Sequence, residues 1–453
     1  MTRLFFDEST ACQSAQTEWS RRSIRECLKP IRELRHLLVE RTDEICEVIA
    51  AEIGRPAVEV VGTELLPTAA ALRFLEQQAG RILKPRRVRS RPIWLMGCRD
   101  EVHRRPWGLV GIIGTWNYPF YLNAVQIAQA LVAGNGVLWK PSENAPRTAD
   151  LTHQLFLEAG FPAMLIAKLP ATREGGAQLA EANVDHVVFT GSDRVGRKLA
   201  ARLGERLIPS TLELSGIDAM FVLEDADVTM AAKAAWFGVT LNRGQTCIAV
   251  RRIFVHRSRL DEFRSLLMPL VESASPMKLA SGAEVRPTIQ FDASTDSPVC
   301  REVSFSPVAA VIPFDTSDNA LSLAGESPFG LSASIFSAGV ARAQELASRI
   351  RAGSVLINDV IAPTAHPATP FGGRGGSGWG VTQGAEGLLA MTVPQVVTVR
   401  KGTFRPHFDE AANPDPATHS ILRGLLKATH GRGLLARLAG IRELVRGIRK
   451  KKR

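Results

Sequence analysis

Leu241-Asn-Arg-Gly-Gln-Thr-Cys-Ile248 is the stretch from which the rest of the chain can be read. It sets one thiol, Cys247, behind a Gly-Gln turn and ahead of a β-branched run, Arg252-Ile-Phe-Val255. A cysteine attacks carbonyl carbon as the thiolate, and a free thiol titrates near pH ~8.5. Such a nucleophile needs a base nearby and donors for the oxyanion it creates. Two other stretches offer these groups. Thr211-Leu-Glu-Leu-Ser-Gly216 carries a carboxylate, Glu213, on a short apolar strand. Gly114-Thr-Trp-Asn-Tyr-Pro-Phe120 carries a side-chain amide, Asn117, in a tight loop. Singly, each has an ordinary explanation: a structural cysteine, an ion-pair partner, a turn asparagine.

The three together, in this order, resemble the aldehyde dehydrogenase superfamily. Its Asn-x-Gly-Gln-x-Cys, Leu-Glu-Leu-Gly-Gly and Pro-Trp-Asn-Phe-Pro boxes are similar to these stretches. The resemblance runs over most of residues 15–400 and continues in Lys140-Pro-Ser-Glu143, Thr190-Gly-Ser192, Phe305-Ser-Pro-Val308, Ser327-Pro-Phe-Gly-Leu331 and Pro370-Phe-Gly-Gly373. Asn358-Asp359 ahead of the last box points within the family to the class-3-like branch, which acts on aromatic and on medium or long aliphatic aldehydes.

Bulk properties agree with a soluble globular protein of two or three lobes. The 453 residues are 45% hydrophobic and 22% charged, enough for a sizeable core. Six cysteines are scattered without Cys-x-x-Cys or zinc spacing, which fits a reducing, cytoplasmic setting and no metal site. The opening residues have no apolar signal-peptide core. The net charge of +11 is concentrated at one end, with 12 Lys/Arg against 4 Asp/Glu in residues 403–453. The near-neutral body has no basic stripe with interleaved aromatics, so nucleic acid is excluded as its partner. Residues 106–139 carry no charged side chain, long enough to span a bilayer. Frequent Gly, Asn, Gln and Pro make them a buried β-α-β unit instead.

In chain order, apolar positions Ile24, Leu28, Ile31, Leu34 and Leu38 predict helix over 17–54, stopped by Gly54-Arg-Pro56. A second helix is predicted from about Val58 to Gly80. Residues 92–107 are extended. From Leu109 onward strand and helix alternate, which argues for an α/β fold with a doubly wound parallel sheet whose ligands sit at the carboxyl ends of the strands. Lys140 and Glu143 follow one such strand. Gly191, Ser192 and Gly196 follow another and open a helix, where free backbone N–H groups suit a phosphate. Val393 to Val399 is a return strand.

The resemblance implies an aldehyde-dehydrogenase-like architecture: a cofactor lobe (1–91 and 108–212), a second α/β catalytic lobe (213–392) and a small bridging sheet (92–107 and 393–400) that joins subunits into a homodimer or higher oligomer. It implies NAD as cofactor, with NADP as the alternative. Trp116, Lys140, Glu143, Gly191, Ser192, Gly196 and Phe305 would bind it, Glu143 disfavouring a 2′-phosphate by charge. It further implies oxidation of a small-molecule aldehyde to an acid, with Cys247 as nucleophile, Asn117 as oxyanion donor and Glu213 as base for thioester hydrolysis.

Several positions depart from the family. Val303 stands where a ribose-holding Glu is expected, Ser215, Ile217 and Ser306 replace box residues, and the segment between Cys247 and Phe305 is short. Weak nicotinamide binding or slow turnover is therefore expected. Two rivals remain open: an acyl-transferring or acyl-reducing relative, and an impaired scaffold paralogue. The tail, 401–453, is separate. Leu434, Leu438, Ile441, Val445 and Ile448 form one apolar face flanked by Arg437, Arg442, Arg446 and Arg449, and Lys450 to Arg453 close it. Such a helix lies peripherally in a lipid interface or packs on a subunit.

Overall fold

A computed structural model describes residues 6–402 and 405–451; Lys452 and Arg453 of the basic tail and the opening residues 1–5 lie outside them. Two compact units are distinguished, Met1–Arg86 with Val102–Gln395, and Arg87–Glu101 with Val396–Arg453.

The first unit holds two six-stranded sheets. Its strands follow β1 (Cys98–Pro106), part of which belongs to the other unit. They are β2 (Leu109–Ile113), β3 (Gly136–Lys140), β4 (Ile166–Lys168), β5 (His186–Gly191) and β6 (Ser210–Leu214). These pair in parallel in the order β6-β5-β2-β3-β4. All five residues of β2 and of β3 are buried, because helices cover both faces and leave no wet side to alternate towards. The charge-free window is thus β2, the helix Tyr121–Val132 and β3, with every helix residue but Leu122 buried. Its side-chain amide N–H groups bond internally in part: Asn123 donates to the Thr115 and Pro119 carbonyls, and Gln126 to the Thr190 hydroxyl at 3.0 Å, while Asn123 Oδ1, Gln126 Oε1 and Gln129 Oε1 are buried without partners among the described residues.

The second sheet comprises β7 (Asp218–Val222), β8 (Val250–His256), β9 (Thr288–Gln290), β10 (Val308–Phe314), β11 (Ser332–Phe336) and β12 (Ser354–Ile357). It runs β9-β10-β8-β7-β11-β12, parallel throughout. The chain then returns to the first sheet. β13 (Gly378–Trp379) lies antiparallel on β6, Gly378 opposite Glu213. Gly378 (φ 95°) allows this, since a Cβ there would stand 2.0 Å from the Leu212 carbonyl oxygen.

The helical segment predicted over 17–54 is three pieces. Phe6–Trp19 ends before a break, Ile24–Glu40 begins at a Ser23/Glu26 capping box, and Thr42–Ile53 ends on Gly54 (φ 68°). Ile31, Leu34 and Leu38 are buried, each worth roughly 1.5–3 kcal/mol. The second helix contains a π turn, Val61–Leu65, between Ala57–Val60 and Leu66–Ile82.

In the second unit β14 (Thr392–Arg400) contributes Val396–Arg400, and Thr398 donates to Asp100 at 2.5 Å. β14 is an edge strand of the three-stranded sheet that contains β1. Helices Pro416–His430 and Gly433–Lys451 form a hairpin zipped by glycines. A Cβ on Gly424 would be 2.3 Å from the Leu444 amide nitrogen, and one on Gly440 the same distance from that of Ala428.

Candidate active site

Four carboxyl ends of the first sheet supply the expected cofactor and catalytic positions, as strand order requires. The β2 exit loop carries Trp116 and Asn117, β3 ends on Lys140, β5 ends on Gly191, and β6 carries Glu213. Cys247 arrives differently. The helix Val228–Thr240 and a kinked turn at Leu241–Gly244 deliver it ahead of the amino end of β8. Gly216 N–H donates to the Cys247 carbonyl at 3.2 Å, tying the end of β6 to the nucleophile loop. A side chain on Gly216 would press within 3.0 Å of that same oxygen.

One cavity of about 650 Å³ is lined by Trp116, Asn117, Gly191, Ser192, Glu213, Cys247 and Phe305. Of the ten sequence-derived residues, these seven share it. Lys140, Glu143 and Gly196 do not line it. Gly196 packs the helix Asp193–Glu205 onto β6, where a Cβ would meet Leu214 at 2.4 Å. Ser192 caps that helix by accepting from the Val195 N–H. Lys140 is buried and donates to Glu143 at 3.1 Å, and Arg173 lies 3.5 Å from the same carboxylate. Two cations around one carboxylate weaken its power to repel a 2′-phosphate. Trp116 and Phe305 face each other at 6.0 Å between ring centroids. A helix amino end, a close-packed glycine and this aromatic pair fit a dinucleotide. Val303 is half-buried and does not line the cavity.

The catalytic candidates are held by groups the sequence reading passed over. Arg55 is fully buried and bonds Glu64, also fully buried, at 2.6 Å. It also donates to the Asn117 carbonyl and the Asn242 side chain, and stacks 4.5 Å over the Tyr118 ring. Glu64 accepts the Phe120 and Tyr121 N–H groups at 2.7 and 3.0 Å. Asn242 donates to the Asn117 and Gln245 carbonyls, and Asn117 Nδ2 donates to Gln245 at 3.1 Å. Thr115 donates to Asn117 Oδ1 at 2.8 Å, fixing which way the amide faces. The loops that carry Asn117 and Cys247 are therefore joined in one polar cluster. In sequence Arg55 reads as part of a helix stop, and nothing local advertises a partner on the Cys247 loop, 187 positions away from it at Asn242.

Electrostatics favour proton chemistry. Burial pushes Glu213 up to about 7, partly opposed by the Thr382 hydroxyl that donates to Oε1 at 2.5 Å. Burial, then the charges of Glu213 and Asp218, push the Cys247 thiol up to about 12. At neutral pH Cys247 is thus a thiol, and forming the thiolate requires a proton acceptor.

The chain was compared with known proteins. The aldehyde dehydrogenase family model matches residues 8–278 and 269–397. The chain belongs to the aldehyde dehydrogenase family. It is 32% identical over 427 residues to a 4,4'-diapolycopene aldehyde oxidase of Methylomonas, covering 86% of this chain and 81% of the relative. A putative succinate-semialdehyde dehydrogenase [NADP(+)] of Mycolicibacterium smegmatis is 30% identical, with 86% and 83% covered. The crystal structure of a Mycobacterium tuberculosis aldehyde dehydrogenase complexed with NAD+ superposes with a TM-score of 0.81 at 28% identity, covering 88% and 90%. This aldehyde dehydrogenase is accordingly an oxidoreductase that oxidises aldehydes with NAD(P) as cofactor, on the expected fold.

Proposed function

We propose that the enzyme oxidises an uncharged, apolar aldehyde to its carboxylic acid through a thioester on Cys247. Cys247 passes its proton to Glu213, which releases it to solvent before hydrolysis; the thiolate attacks the aldehyde carbon, and the oxyanion is met by an Asn117 side-chain N–H and the Cys247 backbone N–H. Losing one such donor typically costs ~10²–10³ in rate. NAD(P), when bound, supplies the hydride acceptor. Trp116, Gly191, Ser192, Gly196 and Phe305 would hold it, with Lys140 and Glu143 at its ribose. Glu213 takes a proton from the water that hydrolyses the thioester, a task suited to a carboxyl group poised near neutrality. Glu213 favours this over acyl transfer to another thiol. The segments 1–91 with 108–212 and 213–392 would act as cofactor and catalytic lobes, with Glu213 on the shared edge, and the strands 92–107 and 393–400 would join subunits.

The wall of the cavity carries the substrate reading. Beyond the nucleotide-side residues it includes the apolar Val58, Pro67, Leu122, Phe237, Leu241, Ile361 and Phe371, the uncharged polar Thr63, Tyr121, Thr364 and Gln383, and Glu59, with no Lys or Arg. Val58 and Phe237, 83% and 41% exposed, form an apolar mouth. A distal carboxylate, as in succinate semialdehyde, would find no cation and a like charge there. NAD(P)H formation from decanal, butanal and succinate semialdehyde tests this, with Cys247→Ala as control. Decanal should give the highest kcat/KM. A clear preference for succinate semialdehyde ends the substrate reading, and equal rates with and without Cys247 end the mechanism.

A second reading concerns the tail. On the helix Gly433–Lys451, Leu434 is 75% exposed, and Leu438, Ile441, Val445 and Ile448 are 42–48% exposed among arginines. No helix among the described residues is long and apolar enough to cross a membrane. Peripheral docking on an anionic lipid surface from the cytoplasmic side fits that face.

A further inference from the structure

We propose that Gln383 holds the hydrolytic water against Glu213 and so is a positioning residue for release of the acid product. The inference rests on Glu213 being the base. Gln383 is only 6% exposed, yet it lines the cavity that contains Cys247 and Glu213. Its Oε1 is buried and has no hydrogen-bond partner among the described residues. A buried amide oxygen left unpaired is costly, so such a group in a cavity wall is an open acceptor for a donor from the cavity. The side chain is not spent on the backbone either. Gln383 stands at the N-cap of the short helix Gly384–Ala390 but makes no side-chain cap bond.

The local backbone is built to present it. Gln383 has φ 60°, a left-handed conformation that a side chain adopts only when the surroundings enforce it. Gly384 follows at φ 59°, its Cβ position crowded by the Ala368 carbonyl at 3.0 Å. The preceding residue, Thr382, is the one whose hydroxyl occupies Glu213 Oε1. Thr382 is pinned in turn by paired backbone bonds to Phe371 at 2.7 and 2.9 Å. One turn therefore carries the hydroxyl that ties up one carboxylate oxygen and, one residue on, an unpaired amide oxygen in the wall of the same cavity. Oε2 of Glu213 and the Gln383 amide together supply the two or more polar partners that an ordered water needs. In the step itself the water proton passes to Glu213 and the water oxygen bonds to the thioester carbon. The carbon–Sγ bond breaks, and Cys247 leaves with the electron pair as thiolate. No electrons are exchanged with any cofactor.

The test needs no dinucleotide. An activated ester, p-nitrophenyl acetate, acylates Cys247 and releases p-nitrophenolate as a burst, and the steady state then reports deacylation. In the full-length chain, Gln383→Leu should keep the burst rate within about twofold and lower the steady state 10- to 100-fold. Acetylated Cys247 should then accumulate in acid-quenched mass spectra. Gln383→His, which keeps a ring-nitrogen acceptor, should recover part of the loss, and Gln383→Met repeats the test should the leucine variant misfold. Equal losses in burst and steady state, or no loss in either, overturn the proposal. Should Glu213→Gln slow deacylation while Gln383→Leu does not, only the role of Gln383 falls. Should Glu213→Gln leave deacylation unchanged, the base assignment falls and this inference with it.

Discussion

At the scale of single residues, Glu213 has two pH consequences. Its carboxyl group is pushed up to about 7, so with Glu213 in the proposed role of base, deacylation should rise with pH through about 7. The stability effect has the opposite sign. An acid whose folded pKa exceeds its unfolded value binds more protons when folded, so stability falls as pH rises from about 4.5 towards 7. Glu213→Gln removes that penalty and keeps an acceptor for Thr382. Thermal unfolding at pH 8 should show the variant more stable by up to about 3 kcal/mol, with little difference at pH 4. Equal midpoints at both pH values contradict the assignment. Arg55 gives the second prediction. Replacing it with Met leaves Glu64 buried without its cation, a loss of roughly 3–5 kcal/mol, and frees the Asn117 carbonyl. Chemical denaturation should show that loss, and kcat should fall further than the affinity for NAD(P).

At the scale of elements, the two tail helices pack on each other as a pair. They approach closely through Gly424 and Gly440, and Glu443 takes Arg423 and Lys427 as partners. That packing uses one face of Gly433–Lys451 and leaves the face with Leu434, Leu438 and Ile441 exposed. The full chain should float with anionic vesicles at low salt and be released at about 0.5 M salt, where charge attraction is screened. A chain cut after Lys401 should stay in the soluble fraction. Equal recovery of both ends the lipid reading. Elements were legible where period and composition agreed: Leu109–Ile113 and Gly136–Lys140, with their continuous apolar runs, lie where expected, whereas Asp218–Val222, Val308–Phe314 and Ser332–Phe336 of the second sheet were not anticipated. The helix breaks at Ser23 and Arg41 were not, because amphipathic spacing persists across them while the direction of the chain changes.

For the whole molecule, β14 bears on assembly. It is an edge strand carrying Val396 and Val399, 62% and 52% exposed. An exposed valine-bearing edge is a template for pairing with a second chain. The double change Val396→Asp, Val399→Asp should lower the mass measured by sedimentation equilibrium towards 49.2 kDa. An unchanged mass places the subunit interface elsewhere. The amino-acid sequence by itself determined the alternation of strand and helix and the family, and it singled out Cys247, Glu213 and Asn117 as candidates, because those depend on local period and on short runs of adjacent residues. Only tertiary structure decided that Arg55, Glu64 and Asn242 bind the two loops together, that Thr382 restrains Glu213, and that the next residue, Gln383, has an unpaired amide oxygen in the wall of the same cavity. Those relations join groups up to 187 positions apart, and burial sets both their strength and their proton affinity, a quantity that no local pattern carries.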